Sequence, residues 1–295
     1  MANTIALAQK FLPILDEVYK VKSLTARMDA QRGPDFVGTN VVNVMKLTTV
    51  GLGNYSRNLG YPIGDVNLAM EAWTLSQDRG RELSVDRMDN EETLGVAYGR
   101  LTGEFLSRYV IPETDAYRFA KYASAAGIGT ATATLDKNSV IAALDVALGA
   151  LDDAGVPEEG RLLYMSYPVL RMHETAVSRQ LANENGVDRR VRTWDGIPVI
   201  GVPQSRFYTQ ITLDPGATAS AGGYAKTATT GADINFMLLD PTAVIQANKF
   251  DNMKIFSPDV NQKKDAWLIQ YRQYYDAFVY ANRVGGIYVH KKAAG

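Results

Sequence analysis

The chain has 295 residues, 46% of them hydrophobic and 21% charged, with 31 Lys and Arg against 32 Asp and Glu. This near balance excludes a protein that grips nucleic acid through a basic stripe, because phosphate neutralisation needs an excess of cations on one face. Cysteine is absent, which removes disulfides, thiolate metal sites and cysteine nucleophiles together and fits synthesis in a reducing cytosol.

At the start, Pro13, Asp16 and Glu17 interrupt the apolar run that a signal peptide needs. No stretch approaches the roughly 20 apolar residues of a membrane span, so no membrane partner is expected. Residues 4–28 read as an amphipathic helix or arm, with Phe11, Leu12, Leu15, Val18 and Tyr19 at helical spacing and Arg32-Gly33-Pro34 as its end. Residues 40–50 are extended and rich in Val and Thr. Residues 51–64 form a loop dense in Gly, Asn and Pro. A strand over 67–77 follows, then a turn at Asp78-Arg79-Gly80 and a short strand from Arg81 to Arg87. Nothing between 40 and 87 carries a dense apolar cluster, so this stretch reads as a long hairpin that projects from the body and needs something to lie on.

Asp89 to Tyr109 is the strongest helix. Asp89 with Glu92 is a capping box, and Leu94, Ala97, Tyr98, Leu101, Phe105, Leu106 and Tyr109 make one stripe. Pro112 bends or restarts it, and residues 113–126 continue it. Beyond residue 130 come a helix capped at Asn138 or Ser139 and stopped by Gly155 and Pro157, a strand at 161–166, and a helix opened by Pro168. A hairpin follows with Asp195-Gly196 at its turn. Residues 209–213 read as a strand, and the Gly, Ala, Ser and Thr run of 214–231 as an exposed loop. The end is β-rich: 236–239, 243–247, 254–256, a long strand over 266–280 and a closing strand over 287–290. On the long strand Trp267, Ile269, Tyr271, Tyr275, Ala277 and Val279 share one face. Helices and strands are segregated, which points to α+β.

Chemistry-bearing motifs are sparse. Gly127-Ile128-Gly129 starts like a dinucleotide fingerprint but follows a helix and lacks its third Gly, so a helix terminator and linker is the better reading. There is no P-loop lysine motif. His173, beside Glu174, reads as a surface or capping histidine, and His290 as a solvated strand end. Asp86, Asp89, Glu91 and Glu92 are explained by helix capping, and Asp152, Asp153, Glu158 and Glu159 by solvation. The C-terminal tyrosines suit packing better than base stacking, having few cations among them. No nucleophile, base and orienter set can be nominated. No catalytic residue, cofactor site or metal site is expected, and the chain is not read as an enzyme.

Four segments carry a resemblance in the right order. Gly51-Leu-Gly-Asn-Tyr-Ser-Arg-Asn58 is similar to the tip of the long hairpin of tailed-bacteriophage major capsid proteins. Residues 74–93 resemble the end of that hairpin and the start of the long helix; residues 110–118 resemble the segment leaving the helix, and 275–289 the closing strands. The resemblance implies the Hong Kong 97-type fold, with an N-terminal arm at 1–38 and an extended loop at 39–88. It implies a peripheral domain with its spine helix at 89–129 and 241–292, and an axial domain at 130–240. Hexamers and pentamers of the chain would form an icosahedral head shell around double-stranded DNA, enclosed without sequence-specific binding. The family implies a portal protein and leaves room for a decoration protein. With no room here for a fused scaffold, a separate scaffolding protein is implied. The location would be the virion, reached by assembly in the bacterial host cytoplasm. Subunit contacts are assigned to Tyr55, Arg57, Tyr61, Arg79 and Arg81 of the extended loop, since Tyr and Arg often anchor interfaces. Some relatives weld subunits through a loop lysine. Here the hairpin's single lysine is Lys46, near its base, and arginine cannot replace that amine. The alternatives are an encapsulin-like bacterial nanocompartment shell of the same fold and a soluble enzyme with an unrecognised site.

Overall fold

The computed structural model describes residues 23–31, 41–58, 60–88, 102–180, 193–218 and 221–293. Ser23 to Thr25 lead into a 3-10 turn, Ala26–Gln31, where the helical reading of 4–28 expects α-helix; residues 1–22 lie outside the described set. Strands β1 (Val41–Thr49), β2 (Val66–Thr74) and β3 (Gln77–Asp86) come next. Most of the helix expected over 89–109, including its capping box, lies outside the described residues. From Thr102 the chain is helical and passes through a π turn, Leu106–Val110, into α1 (Ile111–Ala123). The Ile111 N–H there reaches the Leu106 carbonyl. The widened turn sits where Pro112 lacks an N–H and crowds the preceding carbonyls.

Then follow β4 (Gly129–Thr132), α2 (Val140–Asp153), β5 (Leu162–Ser166), α3 (Tyr167–Gln180), β6 (Thr193–Trp194) and β7 (Ile197–Val202). The chain ends through β8 (Ile211–Leu213), β9 (Tyr224–Lys226), β10 (Ile234–Leu239), β11 (Val244–Phe256), β12 (Ala266–Val279) and β13 (Ile287–Lys291). Asp136 organises the start of α2, accepting from the Asn138 and Ser139 N–H groups and the Ser139 hydroxyl.

A six-stranded mixed sheet in the order β4-β13-β10-β5-β7-β6 forms the centre. Strands β13, β10 and β5 are buried on both faces, and alternation sends successive residues to opposite sides. Tyr164, Met237, Leu239 and Val289 meet Phe119 and Tyr122 of α1 together with Met28. Leu163, Met165, Phe236, Leu238 and Tyr288 meet Leu144, Ala147 and Leu151 of α2 and Val169 of α3. A second sheet, β11-β12-β3, is antiparallel throughout. The β1–β2 hairpin is a third, separate sheet.

Several expectations are corrected. Asp78-Arg79-Gly80 is no turn: it lies inside β3, with Gly80 opposite Arg272, and the break between β2 and β3 falls at Leu75-Ser76 instead. Glycine is there for close approach, because a Cβ on Gly80 would sit 2.9 Å from the Tyr271 carbonyl oxygen. Residues 244–247 and 254–256 belong to one strand, with a register shift between Asn248 and Phe250, and Ala243 closes the 3-10 turn before it. The 214–231 run contains β9, which pairs with β8. Asp152 is not merely solvated, being 2.7 Å from the buried Arg161 guanidinium. The Asp195-Gly196 turn stands as expected, with φ of 45° and 76°.

Both histidines are buried. His173 is fully enclosed, its ring edge-on to Trp194 at 4.8 Å, and neither ring nitrogen has a hydrogen-bond partner. His290 stacks on Phe236, with Nδ1 3.0 Å from the Asn235 amide nitrogen. Burial lowers the pKa of both, opposed at His173 by Glu174 and at His290 by a backbone hydrogen bond with Lys291. The unfolded chain therefore binds protons at a higher pH than the folded one, so stability is full above about pH 6.5 and falls as pH drops through the folded values. Melting followed by circular dichroism from pH 8 to pH 5 should show this fall. His173→Phe should flatten it; an unchanged slope would mean that His173 does not titrate as argued.

Candidate assembly surface

The β1–β2 register places Met45 opposite Met70, Leu47 opposite Leu68 and Thr49 opposite Val66. Cross-strand partners, and residues two apart, share a face. One side of the hairpin is thus an apolar ladder, with Met45 67%, Leu47 56%, Val66 71%, Leu68 58% and Met70 66% exposed. Five such side chains leave on the order of 500 Å² of apolar surface in water, at the upper end of what lone monomers carry. The other side, with Lys46, Thr48, Asn67 and Glu71, is more polar.

At the far end the 51–64 loop is closed by a Ser56–Gly60 bridge. The Tyr55 and Tyr61 rings pack against each other at 4.9 Å. Leu52, Tyr61 and Ile63 are almost wholly exposed, and Arg57 on the same loop is exposed as well.

The near end is built differently. Val42, Leu75 and Ala247 form a small buried cluster with Val44, Tyr274 and Phe278 around it. Trp73 stacks on Phe278 at 5.0 Å. Asp276, on β12 and 1% exposed, accepts from the Ser76 N–H at 2.9 Å, the Ser76 hydroxyl at 2.8 Å and the Tyr117 hydroxyl at 2.8 Å. Burial pushes the Tyr117 pKa up, so its hydroxyl stays a donor.

Arg79 and Arg81 lie on β3, away from the tip. Arg79 forms a two-bond fork with Glu113 of α1 at 2.7 and 3.1 Å and donates to the Asp214 carbonyl at 2.7 Å. Arg81 donates to the Ala221 carbonyl at 3.0 Å. Both arginines therefore tie the 214–223 segment to β3 within one subunit. The five residues assigned to subunit contacts divide accordingly. Tyr55 and Tyr61 come together at the tip with Arg57 exposed on the same loop, and Arg79 and Arg81 hold the body. The ladder itself escaped the sequence reading, although apolar residues at 45 and 47 and at 66, 68 and 70 alternate with period two.

A second anchor holds residues 23–31. Asp115 of α1, fully buried, accepts from the Ser23 hydroxyl at 2.8 Å, the Thr25 hydroxyl at 2.7 Å and the Leu24 and Thr25 N–H groups. Arg206 donates at 3.4 Å to Oδ2, the oxygen that also accepts from the Leu24 N–H. Arg118 donates to the Thr25 hydroxyl at 2.8 Å.

A cavity of about 460 Å³ lies between β3, the π turn and the 214–223 segment. Leu83, Phe105 and Tyr109 line its apolar wall; its charged lining residues include Arg79 and Glu113, which are spent on each other. Among the described residues no group of His, Asp and Glu is placed to hold a metal ion.

No family model and no curated protein matches the chain. Solved structures do. The capsid structure of the cyanophage P-SCSP1u matches with a TM-score of 0.65 at 12% identity, over 90% of this chain and 88% of that one. The mature capsid of bacteriophage PhiM1 matches with a TM-score of 0.55 at 14% identity, over 87% and 83%. A virus-like particle from Pyrococcus furiosus matches with a TM-score of 0.55 at 10% identity, over 96% and 99%. The architecture is therefore that of proteins found in capsids. More narrowly, the chain has the α+β Hong Kong 97-type fold expected from its sequence, here seen as an exposed hairpin, a helix that carries a π turn, and two main sheets.

The Asp115 anchor makes a prediction. Asp115→Ala leaves five donors without their acceptor and should lower stability by about 3 kcal/mol, read from the urea midpoint. Limited proteolysis should then cut within 23–31 before any other described segment. A variant as stable and as resistant as the parent would remove the anchor.

Proposed function

We propose that this chain is the major capsid protein of a tailed bacteriophage, a structural protein without catalytic activity. Copies would assemble as hexamers and pentamers into an icosahedral head shell enclosing double-stranded DNA. The observation that carries the reading is the apolar ladder of Met45, Leu47, Val66, Leu68 and Met70, exposed on a hairpin that projects from a Hong Kong 97-type body. A face of this kind is covered when another copy lies under it, and closed symmetry repeats that contact around a shell. The formal net charge of −1 suits a container, because a strongly basic wall would hold the polyanion fast.

The domain division goes with this reading: an arm at 1–38, an extended loop at 39–88, a peripheral domain at 89–129 and 241–292, and an axial domain at 130–240. Strand β3 joins the extended loop to the peripheral sheet through its pairing with β12. A separate scaffolding protein, a portal and, in some shells, a decoration protein would be the partners, and the virion the final location. The likeness to the Pyrococcus furiosus virus-like particle, which spans nearly all of both chains, supports a second reading as an encapsulin-like nanocompartment shell. Electron microscopy of particles purified from the native source separates the two: DNA-filled heads with tails support the first, and DNA-free shells overturn it.

Replacing residues 51–64 with a short Gly-Ser linker tests the tip. The loop contributes little to the described cores, so the subunit should keep its circular dichroism and a cooperative melt while normal shells fail to form with scaffold present. Normal shells from the shortened chain would show that Tyr55, Arg57 and Tyr61 are not assembly contacts.

The hairpin's lack of any lysine beyond Lys46 leads to a further expectation. Native shells should be held without covalent bonds and should run as single subunits after boiling in denaturant. A ladder of multimers would refute this.

A further inference from the structure

The hairpin and β3 are successive in the chain, joined only through Leu75 and Ser76, yet they belong to different sheets. Nine-residue strands at about 3.4 Å per residue make a lever of roughly 30 Å. A turn of about 10° at the joint would thus carry the far end roughly 5 Å, more than a packed interface tolerates. Something must hold the angle.

Two kinds of contact meet at the joint. The apolar ones, Val42 with Leu75 and Ala247 and Trp73 on Phe278, keep the base attached. Apolar contact is non-directional and permits sliding. The polar ones are directional. Both the N–H and the hydroxyl of Ser76 point at the same Asp276 oxygen, at 2.9 and 2.8 Å. Tyr117 of α1 takes the other oxygen at 2.8 Å and lies 3.3 Å from the Ser76 hydroxyl. The Leu75 carbonyl accepts from the Tyr274 hydroxyl at 3.0 Å, and Lys121 stands 3.9 Å from Asp276. The joint residue is therefore held from β12 and from α1 at once, through one carboxylate sealed from water.

We propose that Asp276 is the positioning residue that sets the direction of the β1–β2 hairpin relative to the body, acting through Ser76 and Tyr117. Its consequence for shells rests on the proposed function; the positioning itself does not. A direction held in each free subunit would present the ladder and tip to a neighbour at one angle, and so favour one shell curvature.

The absence of cysteine allows a clean test. Cysteines placed at Ile63, on the tip, and at Val146, exposed on α2, would carry spin labels. Pulsed electron spin resonance on the unassembled subunit should show one narrow distance distribution. In Asp276→Asn it should broaden or shift by several ångströms with circular dichroism unchanged. Ser76→Ala and Tyr117→Phe, each removing one partner, should do the same to a smaller degree and serve if Asp276→Asn does not fold. Folded variants with the parent's distance and width would overturn the assignment. Assembly gives a separate readout. Shells of mixed size from the variants are expected. Uniform parent-sized shells from a variant whose label distance has shifted would leave the positioning role standing and remove its proposed consequence for shell curvature.

Discussion

A carboxylate sealed from water must find hydrogen-bond donors or the chain cannot bury it. Asp115 and Asp276 find theirs in segments that own no core. Asp115 gathers Ser23, Leu24 and Thr25, and Asp276 gathers Ser76. Each acid is fully or almost fully buried and stands beside α1, which contributes Asp115 itself and, to Asp276, Tyr117. Asp115 of α1 and Asp276 of β12, the second held by Tyr117 of the same helix, therefore fix where both appendages leave the body. The two main sheets supply the stability, and these acids supply the geometry.

The division of labour explains what could be read along the chain. The buried face of β12, with Ile269, Tyr271, Tyr275 and Ala277, was legible because period two is a local signal. So was the Asp195-Gly196 turn, whose backbone demands those residues. Gly80 misled because glycine marks turns and close approaches alike, and only its partner strand tells them apart. His173 and His290 misled because a polar side chain is read as solvated until its enclosure is known. The joint was illegible in principle: Ser76 and Asp276 are 200 residues apart. That Tyr55, Arg57 and Tyr61 lie on the exposed loop while Arg79 and Arg81 bind the 214–223 segment could not be told from residue type without the fold.

The hairpin also shows a tension between being soluble and being sticky. Its apolar ladder lies on one face, while Lys46 and Glu71 on the other oppose back-to-back stacking of free subunits. The base carries the aromatic contacts that β1 and β2 could not supply to each other, so the projecting part stays ordered without a core of its own.

The closing strand has a consequence for how the protein is made. Strand β13 lies between β4 and β10 and contributes Ile287 and Val289 to one face of the central sheet and Tyr288 to the other. A ribosome delivers these residues after both β4 and β10, so the sheet must wait with a gap between those two strands until β13 emerges. Pairing across so many residues is slow to nucleate and leaves strand edges uncovered meanwhile. In exchange, a chain interrupted before Ile287 leaves β4 without its partner strand and the central sheet open, so the fold itself distinguishes it from a chain that has reached β13.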